Sequence, residues 1–272
     1  MLQEWIVNKV QTNNKLKIIH SNVKHDDIDC DYIIDCSGKP QSYDDYHQSE
    51  YIPVNSVYVT QCFCEGIQFE YTLAIARPYG WVFGIPLGNR CSIGYLYNDT
   101  INTLDEVKAD VKNIFKDFNL TPSDVTNSFS FNNYFRKQNY SDRVSYNGNA
   151  SFFLEPLEAT SINFMLRNNY RVNDLMLDVI NVDYANEMYL KEIKQIQNII
   201  MLHYLPKSTF DTKFWDFSNQ RASYLNNVFQ TDKDLQHLLQ TRDNRLAYGT
   251  WGYFAFQQNL LGLGIKIDGG SF

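Results

Sequence analysis

The chain has 272 residues and a formal net charge of −7. That sign argues against a nucleic-acid surface, which would want a stripe of Lys and Arg, and no apolar run approaches the roughly 20 residues that a bilayer span needs. Five cysteines at irregular spacings outline no disulfide framework, and Cys62-x-Cys64 has no second ligand pair to make a metal site. The opening seven residues are too short and too acidic for a signal peptide, so the expected setting is a reducing, cytoplasmic one. The length accommodates one large domain or two, with a sizeable core.

In chain order, the first forty residues read as a β-hairpin leading into a buried strand, with Leu16, Ile18 and Ile19 as one apolar patch. Residues 31–38, Asp-Tyr-Ile-Ile-Asp-Cys-Ser-Gly, form that strand and close in a turn at Gly38. A strand ending in Ser-Gly is ordinary; a strand end beside a cofactor is the sharper reading. Strands are expected over 57–63 and 67–74, and 81–87 pairs with 91–97 around Gly88-Asn89. Trp81 and Phe83, two apart, share one face of their strand, as core or as the wall of a chamber. Thr103 and Glu106 make a capping box. Val107, Val111, Ile114, Phe115 and Phe118 give the helical stripe behind it, which Thr121-Pro122 ends.

Short strands around 129–131, 134–136 and 143–146 lead into the stretch that organises the chain, residues 146–161. Asn147-Gly148 suits a tight turn. The apolar run 152–154 stops at Pro156, which fits the first turn of a helix. Glu158, Thr160 and Ser161 then fall in or near that turn, where backbone N–H groups attract anions. The plain alternative is a helix start capped by acidic residues. A long helix follows over 184–204, in which His203 reads as a packing or hydrogen-bonding residue rather than a base. Beyond it come Phe214-Trp215, a Thr231-capped helix through Leu238 and Leu239, and an aromatic cluster over 248–254.

Two blocks carry a resemblance. Asn147-Gly148-Asn149-Ala150, ahead of Phe-Leu-Glu-Pro-Leu-Glu-Ala-Thr at 153–160, resembles the Gly-x-Ala…Phe-x-Glu-Pro-Leu-Glu-Ser/Ala-Thr block of flavin-dependent tryptophan halogenases. Upstream, Gly80-Trp81-Val82-Phe83-Gly84-Ile85-Pro86 is similar to their Trp-x-Trp-x-Ile-Pro motif, with Phe83 in place of the second Trp. Asn186…His203-Tyr204 is similar to their Asn…His-Tyr helix.

The resemblance implies a mixed α/β (α+β) chain: part of an FAD-dependent monooxygenase-like fold, with an antiparallel substrate sheet and a helical C-terminal region. It divides the chain into a remnant of the FAD module (1–40), a substrate-side sheet plus helix (41–128), a return segment to the flavin site (129–165) and a helical substrate-covering region (166–272). It implies a halogenase that modifies an electron-rich aromatic, such as tryptophan or another indole, with hypohalous acid. FAD, reduced by a separate flavin reductase, and a halide ion would be its cofactors. By motif, Glu158 would be the catalytic carboxylate, and Thr160 and Ser161 the halide-binding residues, although the family often has Ser-Thr-Gly after this Glu. Asp35, Gly38, Asn149 and Ala150 would lie at the flavin, and Trp81, Phe83, Ile85 and Pro86 would form the barrier between flavin and substrate. No metal, membrane or nucleic acid is expected.

A dinucleotide-binding unit needs a Gly-x-Gly-x-x-Gly turn, and the sequence contains none. The resemblance therefore implies a truncated chain, inactive alone, whose N-terminal half and catalytic lysine lie elsewhere. Two other readings stay open: a flavin monooxygenase that inserts oxygen, and a non-catalytic aromatic-binding module.

Overall fold

The computed structural model describes residues 2–63, 71–87 and 90–266. The chain opens with a helix, α1 (Leu2–Gln11), not a hairpin. The Lys9 ammonium lies 5.6 Å from the Trp5 ring centre, an i,i+4 contact that a helix supplies and a strand does not. Leu16, Ile18 and Ile19 are exposed and pair with nothing as a strand, so the expected apolar patch has no core beneath it. A 3-10 turn (His25–Asp27) leads to β1 (Ile33–Asp35), in which Ile33 is buried and Ile34 exposed. The strand is half-buried because a single neighbour pairs with it.

β2 (Tyr46–Gln48) precedes the main sheet: β3 (Ser56–Phe63), β4 (Leu73–Arg77), β5 (Gly80–Leu87) and β6 (Arg90–Tyr97). β5 and β6 pair antiparallel as expected; Gly88-Asn89 lie outside the described residues, as do residues 67–70 of the strand expected over 67–74, whose last two residues open β4. Helix α2 (Leu104–Asp117) starts at the Thr103 capping box, and β7 (Thr121–Ser130) completes the sheet in the order β4-β5-β6-β3-β7. β7 is an exposed edge strand, which is why Pro122 is tolerated near its start.

Strand alternation divides the sheet's side chains between two cores. Val82, Ile93 and Tyr95 pack with Val107, Val111 and Ile114 of α2. Val57, Trp81 and Leu96 point the other way, into the main core, with Phe83 packed against it.

β8 (Tyr134–Arg136), β9 (Val144–Tyr146) and β10 (Phe152–Phe153) fold back onto the earlier strands. β8 lies between β10 and β2, and β9 runs parallel to β1 with Asp35 opposite Tyr146. The first strand thus has a parallel neighbour inside this chain. Helices complete the fold: α3 (Thr160–Met176), α4 (Val182–Leu202), α5 (Lys213–Ala222), α6 (Leu225–Thr231), α7 (Lys233–Thr241), and, after the two-residue strands β11 (Ala247–Tyr248) and β12 (Trp251–Gly252), α8 (Tyr253–Gly262). The N-cap of α7 is Asp232, not Thr231: its carboxylate accepts from the N–H groups of Asp234 and Leu235. A carboxylate there gains from the helix dipole as well, while Thr231 closes α6.

α4 is the central helix. Its residues from Gln195 to Leu202 are all buried, so it is packed on every side rather than along one stripe. Asn186 near its start is a clamp: its Oδ1 accepts from the N–H groups of Asn139 and Tyr140, and its Nδ2 donates to the Tyr140 carbonyl. Glu192 accepts from Arg167 and Arg171, tying α3 to α4. The architecture is the mixed α/β one expected, with an antiparallel sheet and a helical C-terminal region.

Candidate active site

The turn between β10 and α3 is built under backbone strain. After Pro156 a 3-10 turn (Leu157–Ala159) intervenes before the helix. Within it Glu158 has φ 65° and Ala159 φ 48°. Two successive non-glycine residues in the left-handed region cost roughly 1–3 kcal/mol each, and such strain collects at functional turns. The turn presents the Glu158 side chain outward and leaves Thr160 and Ser161 as the first two residues of α3. Their N–H groups have no intrahelical acceptor. Thr160 is buried and Ser161 half-buried.

Glu158 meets the end of α4: its Oε1 is 3.2 Å from His203 Nε2, while His203 Nδ1 faces the Ile199 carbonyl at 3.1 Å. Both ring nitrogens therefore address acceptors. A neutral imidazole has one N–H, which can face either of these two acceptors. The His203 ring packs edge-on against Trp251 at 5.9 Å. In the sequence this histidine reads as a packing or hydrogen-bonding residue rather than a base; the structure places it against Glu158.

Glu155, at the head of the same Glu-Pro-Leu-Glu, is fully buried. Its Oε2 accepts from Tyr204 Oη at 2.9 Å and from Trp81 Nε1 at 3.3 Å, and its backbone N–H donates to Asn133 Oδ1. Among the described residues its Oε1 is buried with no hydrogen-bond partner. Burial pushes the carboxyl up to about 8, against the two hydrogen bonds that lower it. Burial also raises the Tyr204 phenol, and the neighbouring carboxyl adds to this. Sequence reasoning did not single out Glu155; the apolar run 152–154 leading straight into it was the available sign that its side chain is buried.

Trp81 and Phe83 stand side by side with ring centres 6.3 Å apart, Trp81 buried and Phe83 half-buried. Farther along β5, Ile85 is exposed and Pro86 half-buried, so the packed ring face comprises the two aromatics.

The residues expected at the flavin come together at the ends of the parallel pair. The Asp35 carbonyl accepts from Asn147 N–H, joining the end of β1 to the turn after β9. The Asp35 carboxylate accepts from Ser37 N–H at 2.8 Å and contacts His25 Nε2 at 2.9 Å. Burial works to raise it, but the hydrogen bonds from Ser37 and His25 win and hold it below the usual carboxylate value. Gly148 to Ala150 form a 3-10 turn in which the Asn149 and Ala150 carbonyls accept from Tyr134 and Tyr46. Gly38 (φ 95°) and Gly148 (φ 59°) both face open space. The carboxyl ends of adjacent parallel strands are where α/β sheets hold ligands. These residues fit the edge of a flavin site, while the glycine-turn donors for a pyrophosphate are not in this sequence.

No group of His, Cys, Asp and Glu among the described residues could hold a metal ion, and no described helix is long and apolar enough to cross a membrane.

A strained acidic turn, an aromatic pair behind it and an open parallel strand end can be set beside known proteins. The sequence is 26% identical over 204 residues to the tryptophan 7-halogenase RebH of Lentzea aerocolonigenes, covering 69% of this chain and 38% of that protein. It is 26% identical over 203 residues to the tryptophan 6-halogenase ThaL of Streptomyces albogriseolus, covering 68% and 37%. The fold is similar to that of Xcc4156, a flavin-dependent halogenase from Xanthomonas campestris, at TM-score 0.69 and 22% identity, over 88% of this chain and 49% of the other. It is likewise similar to BrvH, a flavin-dependent halogenase from Brevundimonas sp. BAL3, at TM-score 0.67 and 21% identity, over 88% and 50%. The chain thus spans 38% or less of these two curated relatives and about half of these solved structures. The family model for tryptophan halogenase matches residues 3–264. The chain belongs to the tryptophan halogenase family.

Proposed function

We propose that this chain is the substrate-side portion of a flavin-dependent halogenase that modifies an electron-rich aromatic, tryptophan or another indole, with hypohalous acid. The observation that carries this reading is the Glu158–His203 contact on a strained turn at the start of α3. Reduced FAD, delivered by a separate reductase, would with oxygen supply the two-electron oxidation of halide. Asp35, Gly38, Asn149 and Ala150 would hold the flavin's edge.

The chain's own residues then have definite tasks. Thr160 and Ser161 offer first-turn N–H groups to a halide. Trp81 and Phe83 exclude water and keep the aromatic substrate off the flavin, with Ile85 and Pro86 continuing the barrier. Glu158 orients the hypohalous acid or takes the ring proton as a positioned base, and His203 shares that proton. In the balanced step the ring carbon gains the halogen, the ring C–H bond breaks, and the hydroxyl group leaves as water.

On this reading the donors for the flavin pyrophosphate would come from outside these residues, so the test uses the enzyme together with the part that supplies them. Incubation with a flavin reductase, FAD, an indole and bromide or chloride should give halide-dependent halogenated product. Product carrying oxygen regardless of halide would favour a monooxygenase and overturn the reading. Aromatic binding with no turnover would overturn it in favour of a binding module.

A further inference from the structure

The geometry points to Glu155 as a positioning residue for the Glu158–His203 pair: its carboxyl takes the Tyr204 hydroxyl and the Trp81 indole N–H together, fixing the end of α4 and the wall ring against the turn that carries Glu158. This rests on the reading of Glu158 as the active-site carboxylate.

Two consecutive residues at the end of α4 hold the two glutamates of one Glu-Pro-Leu-Glu: Tyr204 takes Glu155 and His203 takes Glu158. The two contacts differ in kind. Glu158 is exposed, on a backbone in the left-handed region, and exposed ion pairs order side chains weakly. Glu155 is fully buried, as is Tyr204, and Trp81 is nearly so. Hydrogen bonds in such a place are costly to leave unmade, so they hold their members in one arrangement. The firm contact therefore sets the geometry of the exposed one three residues along.

The same carboxyl reaches β5 through Trp81, so the wall and the turn are registered by one group. Both donors sit on Oε2, so the proton of the neutral acid belongs on Oε1, the oxygen with no partner among the described residues. A methionine would fill a similar volume but leave the Tyr204 O–H and Trp81 N–H without an acceptor. A glutamine keeps the carbonyl acceptor and supplies a donor in place of the acid proton.

The test is NMR of the full 272-residue chain with labelled histidine imidazoles and glutamate carboxyls, comparing the parent with E155Q, E155M and Y204F. The amide signals of the five-stranded sheet report folding. Glu155→Gln should leave the His203 ring and Glu158 carboxyl signals at their parent positions. Glu155→Met and Tyr204→Phe should both shift them in a folded protein. Folded variants with unchanged His203 and Glu158 signals, even at a lower unfolding temperature, would overturn the proposal and leave Glu155 as core packing. Should E155M fail to fold, Y204F decides alone, because it removes one oxygen and keeps the carboxyl. The reading of Glu158 fails separately, by retained turnover of E158Q in the complete enzyme, which these spectra do not depend on.

Discussion

Phe83 occupies the space that a side chain at Gly94 would need: a Cβ built on Gly94 would stand 2.1 Å from Phe83 Cζ. The two residues face each other across the β5–β6 pair. The glycine is what lets the Phe83 ring lie over the sheet beside Trp81, and the register of the strand pair thereby sets how the two rings pack.

Gly94→Ala should therefore displace the Phe83 ring and cost about 1–3 kcal/mol as an overpacking change. Chemical denaturation checks the size. Phe83→Ala should relieve much of that cost in the double variant, so the two substitutions should be non-additive. Additive costs would mean that the ring moves aside freely.

A second expectation concerns pH. Glutamate ordinarily titrates near 4.5, and Glu155 is pushed up to about 8 by burial, with Tyr204 just beyond α4 and Trp81 from β5 acting on it in the opposite sense. Between those values the unfolded chain has released the proton while the folded chain retains it. Stability must fall as pH rises through that window, by up to about 1.4 kcal/mol per unit from this group, and the dependence flattens above the folded value. Urea denaturation of the parent and E155Q at several pH values isolates it: the parent should lose stability relative to the variant as pH rises. Parallel curves would show that Glu155 is not protonated in the folded state.

Asp110 on α2 provides a stability test away from the site. Its carboxylate takes Arg77 Nη2 at 2.6 Å, Arg77 Nε at 2.9 Å and Tyr95 Oη at 3.1 Å, with both charged side chains largely buried. Among the described residues, Asp110→Ala leaves the guanidinium with the 3.5 Å contact to Asp117 as its remaining ion pair. It should cost about 3–5 kcal/mol, as breaking a buried pair does. A loss below about 1 kcal/mol in denaturation would place the pair among weak surface contacts.

Much of this architecture is legible in the residues. The capping box at Thr103 and Glu106, the strand pair flanking Gly88-Asn89 and the existence of the long helix α4 follow from local chemistry and periodicity. The motif blocks bring Asp35 to the turn at residues 148–150 and Glu158 to the start of α3. What was not legible depends on partners distant in sequence. Trp5, Ile6 and Val7 suit a strand as well as a helix, and i,i+4 contacts such as Lys9–Trp5 and Thr12–Asn8 belong to the helix. Glu155 and Glu158 look alike in a short motif, yet one is enclosed by Trp81, 74 residues earlier, and Tyr204, 49 residues later. The contrast between a buried and an exposed carboxyl arises from those tertiary contacts. The Thr231 cap misses because Asp232, one residue on, is the stronger acceptor.

On the proposed reading, the strand end at Asp35 and the turn at residues 148–150 would supply an edge for the flavin but no glycine-turn donors. The isolated chain should bind FAD weakly or not at all, tend to associate through its unpaired strand edges, and give no halogenated product. Flavin absorbance after gel filtration checks this. A monodisperse chain carrying stoichiometric yellow FAD would contradict it.

The central claim is that Glu158 is the working carboxylate of a halogenase. The direct measurement is halogenated-indole formation by the complete enzyme, with reductase, FAD and bromide, in the parent and in Glu158→Gln. The account predicts that halogenation is abolished in the variant while flavin binding is unchanged. Turnover at the parent's rate would contradict it and remove Glu158 from the chemistry.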